Sequence, residues 1–202
     1  MNFITRYCRI KDYKIVLGDQ ILYDQPSSDI DAFLNGAIKG LSVSYPKFYK
    51  MDRLSKLGFL AAEILMREYN PVAKYGPQGV SIILANAHAS LDTDIKYFET
   101  TRTIASPALF VYTLTNIVIG EICIRHGIKG ENAFFVSNRF DAELLANYVD
   151  SIMITQKTFA CIAGWVDVLG NDHDVFLYLA EKTRETQSSE HTSDHLNELY
   201  LG

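Results

Sequence analysis

An α/β domain built on a mostly parallel sheet is the fold class this sequence predicts, and three observations carry it. Short β-branched runs alternate with stretches of helical period. Of the 202 residues 48% are hydrophobic, enough for a sizeable core. No fixed-period repeat or linker divides the chain, so residues 1–185 read as one domain. Beyond Glu185 the sequence ETQSSEHTSDHLNE has little to bury. Residues 186–202 are therefore expected to form a polar, disordered tail whose Leu196, Leu199 and Leu201 are its only means of docking. His191 and His195 in that tail are four apart but read as solvated histidines rather than metal ligands.

Taken in order, the elements are as follows. Asp52 supplies an N-cap in front of RLSKLGFLAAEILMREY, where Leu54, Leu57, Ala61, Ile64 and Leu65 form one apolar stripe and Pro71 stands just beyond, so a helix is predicted over 53–69. Gly79 to Asn86 (GVSIILAN) is short, β-branched and bounded by turn residues, the pattern of a buried parallel strand. Leu109 to Arg125 is apolar at helical spacing, and His126-Gly127 gives it a positive side chain and a C′ glycine as its stop. Strands are predicted at Ala133–Ser137, Thr158–Val168 and Asp174–Ala180, with a helix over Ala142–Met153 between the first two.

Composition excludes several functions. A net charge of −5 with no Lys/Arg run argues against nucleic acid as partner. Cys8, Cys123 and Cys161 are odd in number and lie outside any ligand spacing, so they read as reduced thiols of a cytoplasmic protein, not disulfides or a zinc site. The amino-terminal MNFITRYCRIKDYK lacks an apolar export signal, and no run is long enough to span a membrane. No cofactor motif is present. His88 and His173 have no carboxylate or cysteine at a recognisable spacing and read as turn histidines, and His126 as packing at a helix end.

The segment from Ser106-Pro107 through Thr115-Asn116-x-x-x-Gly120 to Arg125-His-Gly127-Ile-Lys-Gly130-Glu-Asn132 resembles the amino-terminal half of the β-ketoacyl synthases of the thiolase superfamily. Met51-Asp52 with Leu60-Ala-Ala-Glu63, Leu91-Asp-Thr-Asp94 with Phe98-Glu-Thr100, and Thr158 to Asp167 are similar to further pieces of that family in the same order, so the likeness covers roughly residues 45–180. It implies a thiolase-like half: a mostly parallel, five-stranded sheet with helices on both faces.

The departures from the family matter more. Counting from Gly127 without gaps, its V-S-T-A-C-A-S-G falls on Phe135 to Ala142, so Arg139 stands where the nucleophilic cysteine belongs. A guanidinium is permanently protonated and cannot carry an acyl group, and Asn138 and Phe140 on either side are equally inert. The carboxy-terminal half, which in the family supplies the decarboxylation histidines, has no counterpart in this sequence, and the glycine-rich turn after the second strand is replaced by Asn86 to Ser90. No catalytic residue is therefore assigned.

What the resemblance implies is a non-catalytic subunit similar to the chain length factors of type II polyketide systems, including the short ones of aryl polyene and flexirubin clusters. Such a subunit forms a heterodimer with an active ketosynthase, shapes its acyl tunnel and meets an acyl carrier protein indirectly. Residues 131–137 would be the pairing strand. Phe110, Tyr112, Thr113, Asn132, Phe134, Val136, Arg139 and Asp141 are the candidates for acyl-pocket or interface residues, with Arg139 expected to ion-pair with Asp141 and plug a vestigial pocket. A half unit should also expose the apolar 109–124 helix. Alone, the chain is expected to self-associate, as a homodimer or aggregate. A scaffold role, or a stand-alone acyltransferase or hydrolase working through Cys161 or Ser137, remain the alternatives.

Overall fold

The computed structural model describes residues 1–155, 157–186 and 188–202. In chain order the elements are β1 (Phe3–Lys11), β2 (Lys14–Leu17), β3 (Gln20–Asp24), α1 (Ile30–Gly40), α2 (Arg53–Leu65), α3 (Pro71–Tyr75), β4 (Val80–Asn86) and α4 (Leu91–Thr100). They continue with α5 (Pro107–Val111), α6 (Ile117–His126), β5 (Asn132–Val136), α7 (Ala142–Thr155), β6 (Ala160–Leu169), β7 (Asp172–Glu181), β8 (Ser189–Glu190) and α8 (Ser193–Leu201). Eight strands form one sheet in the order β3-β2-β1-β7-β6-β4-β5, with β8 paired to β1 beside this path.

The α/β class and the helices on both faces are as expected, but the sheet is mixed. Only β4 with β5 and β4 with β6 run parallel; every other pairing among the described residues is antiparallel. Two local causes account for the difference. The connection from β6 to β7 is Gly170-Asn171 alone, with Gly170 at φ +64°, and two residues can only reverse a chain into its antiparallel neighbour. The first 24 residues fold as three antiparallel strands joined by equally tight turns, with Asp12 and Tyr13 both at positive φ.

Period-2 alternation splits the side chains of the central strands between two cores. Ile82, Leu84, Ile162, Val166, Leu177 and Leu179 face α1, α2 and α6. Ile83, Ala85, Ala163, Trp165, Phe176 and Tyr178 face α7 and α8. The predicted α2 starts on its predicted cap, Asp52, whose carboxylate accepts the Ser55 N–H at 2.9 Å. Gly58 lets α6 approach closely, since a Cβ there would meet Val118. Gly164 is at φ +147° with the Phe176 carbonyl against it, a place only glycine fits in β6.

Two expectations about helices are corrected. The apolar 109–125 stretch is two helices, α5 and α6, parted at residues 112–116. Tyr112 turns into the core to donate its hydroxyl to Glu121 at 3.1 Å, and the Thr113 hydroxyl donates to the Phe110 carbonyl at 2.8 Å, a bond that competes with continuation of the helix. Val118, Ile119 and Ile122 of α6 are buried, whereas Phe110, Val111, Leu114 and Ile124 are exposed, so the expected apolar exposure of 109–124 holds for α5, the turn after it and the end of α6 but not for the inner face of α6. Gly127 ends it at φ +72°, the predicted left-handed cap.

The end of the chain differs from the predicted disordered tail. β8 pairs with Phe3 and Ile4, and α8, capped by Thr192, lies along α7 with Leu196 fully buried and Tyr200 stacked on Phe140 at 4.1 Å. His191 is buried too: one ring nitrogen meets the Asp150 carboxylate at 2.8 Å and the other the Tyr178 hydroxyl at 3.1 Å. Leu196, with Leu199 and Tyr200 partly buried beside it, carries this docking, while Leu201 stays exposed.

Candidate functional site

The parallel strands β4, β5 and β6 bring their carboxyl ends together, where loops of α/β sheets most often carry function. The loop after β4 is Ala87-His88-Ala89-Ser90. The buried Asn86 side chain braces it, accepting the Ala89 N–H and donating to the Ala89 carbonyl, both at 2.9 Å. These bonds hold Ala89 at φ +49°, a left-handed conformation that alanine rarely adopts. The carbonyl of Asn86 accepts the Ser137 N–H at 2.9 Å, tying the end of β5 to this loop. The Ser90 hydroxyl donates to the Thr113 carbonyl at 2.9 Å, tying it to the segment after α5.

His88 has a carboxylate partner that sequence spacing did not reveal. Asp167 of β6, 79 positions away, meets His88 Nδ1 with Oδ2 at 2.8 Å, while its Oδ1 accepts the backbone N–H groups of Ala87 and His88 at 3.1 Å each. The partner was invisible because it lies on a neighbouring strand. His126 sits against Glu63, whose burial would raise its carboxyl but whose bonds to His126 and Arg125 hold it down at about 2, a packing role as read from sequence. His173 lies in the β6–β7 turn region with its ring against Tyr13 and Phe33.

The structure divides the other sequence-selected residues. Asn132 and Val136 lie on β5, which pairs with β4 on one side and is a free edge on the other; Val136 is 60% exposed. Phe134 packs half-buried against the core under α2. Phe110, on the solvent side of α5, is 54% exposed, whereas Tyr112 is buried with Glu121 and Thr113 bonds its own chain. Arg139 is exposed and forms no ion pair with Asp141. Asp141 instead turns inward to accept the Leu144 N–H at 2.9 Å, so its charge is committed to the first turn of α7. Arg139 therefore plugs no pocket by way of Asp141.

Neither alternative nucleophile is activated. Cys161 is fully buried in β6, and burial pushes its thiol far up. The Ser137 hydroxyl donates to the Arg139 carbonyl at 2.8 Å. Among the described residues no three His, Cys, Asp or Glu side chains are grouped as a metal would need, and no helix is long and apolar enough to cross a membrane.

An apolar surface spans α4, α5 and the turn after them; its α5 part is legible from sequence through Phe110 and the 109–124 stretch, but its α4 part is not. Leu91, Ile95, Phe98, Phe110, Val111 and Leu114 are all exposed, Phe98 by 65%. Tyr97 and Phe110 touch at 5.5 Å between ring centroids, joining the two helices into one surface.

No family model matches the chain, and no curated protein does. Solved structures do. "The ishigamide ketosynthase/chain length factor" aligns over 92% of this chain and 63% of its own with 16% identity and a TM-score of 0.67. A chain of the ketosynthase ApeO in complex with its chain length factor ApeC, from Xenorhabdus doucetiae, aligns over 100% of this chain and 91% of its own with 11% identity and a TM-score of 0.59. A β-ketoacyl synthase from Burkholderia phymatum aligns over 90% and 59% with 9% identity and a TM-score of 0.60. The chain thus spans about three fifths of the first and last of these and nearly all of the second. The fold of this chain is the thiolase-like fold of the β-ketoacyl synthases.

Proposed function

We propose that the chain is a non-catalytic, chain-length-factor-type subunit that pairs with an active ketosynthase and helps wall its acyl tunnel during chain elongation on an acyl carrier protein. The observation that carries this reading is the free edge of β5 next to the apolar surface of α4 and α5, linked to it through the braced 87–90 loop. An unpaired strand edge is a template for another strand, and contiguous apolar surface outside the core favours association. Arg139 at the nucleophile position of the resemblance, and the inertness of Cys161 and Ser137, support a subunit without its own condensing chemistry.

In the pair, β5 continues the partner's sheet with Asn132 and Val136 on the shared edge, while Phe110 faces the acyl tunnel. Tyr112 supports Phe110 from within the core and does not reach the chain. The test is co-expression with the genomically adjacent ketosynthase followed by size-exclusion chromatography. Co-elution as a heterodimer is expected, and separate elution overturns the reading. With the pair in hand, Phe110→Ala distinguishes its two versions. Altered product length supports the tunnel wall; unchanged products with lost assembly leave a scaffold.

A further inference from the structure

We propose that residues 189–202 form a proton-released arm, in which a second proton on the His191 imidazole undocks β8 and α8 together and uncovers an aromatic face of the sheet. The inference is read on the chain alone and does not depend on the pairing above.

His191 is the joint of this arm. β8 ends just before it at Glu190, the α8 cap Thr192 follows it directly, and its own N–H donates to the Asn2 carbonyl at 3.0 Å. Its side chain is wholly buried and bonds two further elements at once, Nδ1 meeting the Asp150 carboxylate of α7 at 2.8 Å and Nε2 the Tyr178 hydroxyl of β7 at 3.1 Å. Among the described residues no other side chain of 189–202 lies within ion-pair distance of an opposite charge. The rest of the docking is a two-residue strand pairing, the buried Leu196, and Tyr200, which stacks on Phe140 and donates its hydroxyl to Asp174. One side chain therefore carries much of the attachment.

The bonding pattern admits one ring proton and no more. A carboxylate only accepts, so Nδ1 carries hydrogen; Tyr178, whose hydroxyl burial pushes up and keeps protonated, donates to the bare Nε2. A second proton makes Nε2 a donor. The Tyr178 O–H is then left without an acceptor, because this fully buried hydroxyl bonds no other group among the described residues, and an unmade buried hydrogen bond carries the full cost of desolvation. Opening the arm returns both groups to water.

The groups that face the ring do not reverse this. They are Asp150 on α7, Tyr178 on β7 with Cys161 of β6 behind it, and the uncharged Asn2 ahead of β1. Asp150 alone favours an imidazolium, but its carboxylate is 40% exposed and shares the same oxygen with the Asn2 amide at 2.8 Å. Burial outweighs it and holds the ring below its ordinary value. The open arm thus binds the proton more readily than the docked one, so docking is complete above the open-form value of about 6.5 and weakens as pH falls below it. What opening uncovers is Phe140, Phe176 and Tyr178, now beneath Tyr200 and His191.

The experiment is hydrogen–deuterium exchange followed by mass spectrometry on the whole chain at pH 7.5 and 5, each corrected for the intrinsic exchange rate. Opening of 189–202 should rise at least about threefold, under a ceiling of about 30-fold that an open-form value of about 6.5 sets at pH 5. Peptides from β4 and β6 should keep their protection. His191→Gln, whose amide can donate to Asp150 and accept from Tyr178 but cannot titrate, should make opening of the arm independent of pH. Asp150→Asn keeps the acceptor and removes the charge that favours the imidazolium, so it should bring the rise closer to its ceiling. Equal opening of the arm at both pH values, a rise retained in His191→Gln, a smaller rise in Asp150→Asn, or loss of protection in β4 and β6 together with the arm would each overturn the proposal.

Discussion

The two ends of the central helix layer treat apolar surface in opposite ways. Along α7 and α8 the apolar side chains point mostly inward, with Glu143, Asn147 and Ser151 outside and Leu145, Val149 and Met153 inside, and with Ile154 and Leu201 near the helix ends as the exposed exceptions. Along α4 and α5 the arrangement is reversed: Phe98, Phe110 and Val111 face out while the neighbouring Asp92 and Thr93 are buried. The difference teaches where this chain leaves apolar surface uncovered. The sequence predicts an exposed helix over 109–124; α2 covers the inner face of α6, while Phe110, Val111, Leu114 and Ile124 stay exposed, and α8 closes the other face. What remains open is one corner, formed by the β5 edge and the α4–α5 surface.

The sharpest way to test this contrast is truncation on each side. Leu196→Ala empties a fully buried position under α8 and should cost about 2–4 kcal/mol. For a chain of this size that lowers Tm by about 4–16 °C. Phe110→Ser removes a larger side chain from the open corner yet should shift stability by no more than about 0.5 kcal/mol. Equal losses at both positions, measured by thermal unfolding followed by circular dichroism, would break the comparison.

Association should respond in the opposite sense. Val136→Asp places a carboxylate on the free edge of β5, where the isolated chain keeps it in water and a paired strand would bury it. Folding should be nearly unchanged, while affinity for the ketosynthase, or self-association of the chain alone, falls at least about tenfold, roughly 1.4 kcal/mol. Sedimentation velocity across a concentration series reads both. Unchanged association would remove β5 from the interface.

A smaller effect belongs to the closed face. Burial lowers His191 below the usual imidazole value, outweighing the opposing pull of Asp150. The unfolded chain then binds the extra proton more readily than the folded one, so stability rises with pH through this window. The contribution is complete above the unfolded value of about 6.5 and is lost as pH falls below it through the folded value. Asp150, Tyr178 and Asn2, through its bond to Asp150, surround the ring, and none supplies a second carboxylate to offset that loss. Urea midpoints measured between pH 7.5 and 5 should decline, and His191→Gln should flatten that part of the curve. A decline of equal slope in the variant would assign it to other groups.

How much of this was legible in the sequence depends on the range of the forces involved. The α2 helix, its Asp52 cap, the buried β4 run and the Gly127 stop are written in near neighbours, and each stands where the pattern put it. In β1 a register shift between Ile4 and Arg6 puts Ile4 in one core and Cys8 and Ile10 in the other, and the interleaved charges of Arg6, Arg9 and Lys11 left the strand and its two partners unread. The α8 helix buries Leu196 and Tyr200 against residues from α7 and β7, so nothing local announces its docking. The His88–Asp167 pair spans two strands and was likewise beyond any spacing rule. The candidate site was half legible: the β5 edge came from the resemblance, while the exposed α4–α5 surface needed the break at Tyr112, which periodicity alone ran straight through.

Arg139 should give the smallest effect of all. Its side chain is exposed and has no ion-pair partner among the described residues, and its backbone carbonyl, which any substitution retains, accepts the Ser137 hydroxyl. Arg139→Ala should therefore change stability by no more than about 0.5 kcal/mol. Arg139→Cys would place a thiol where the resemblance to the condensing enzymes puts their nucleophile. The thiol would stand three residues before α7, where Asp141 already supplies the carboxylate that caps the helix. A fixed negative charge nearby opposes thiolate formation, so the new cysteine should react with maleimide no faster than a free thiol at pH 7. Faster labelling would mean that the start of α7 still activates a nucleophile and that the arginine alone holds the site silent.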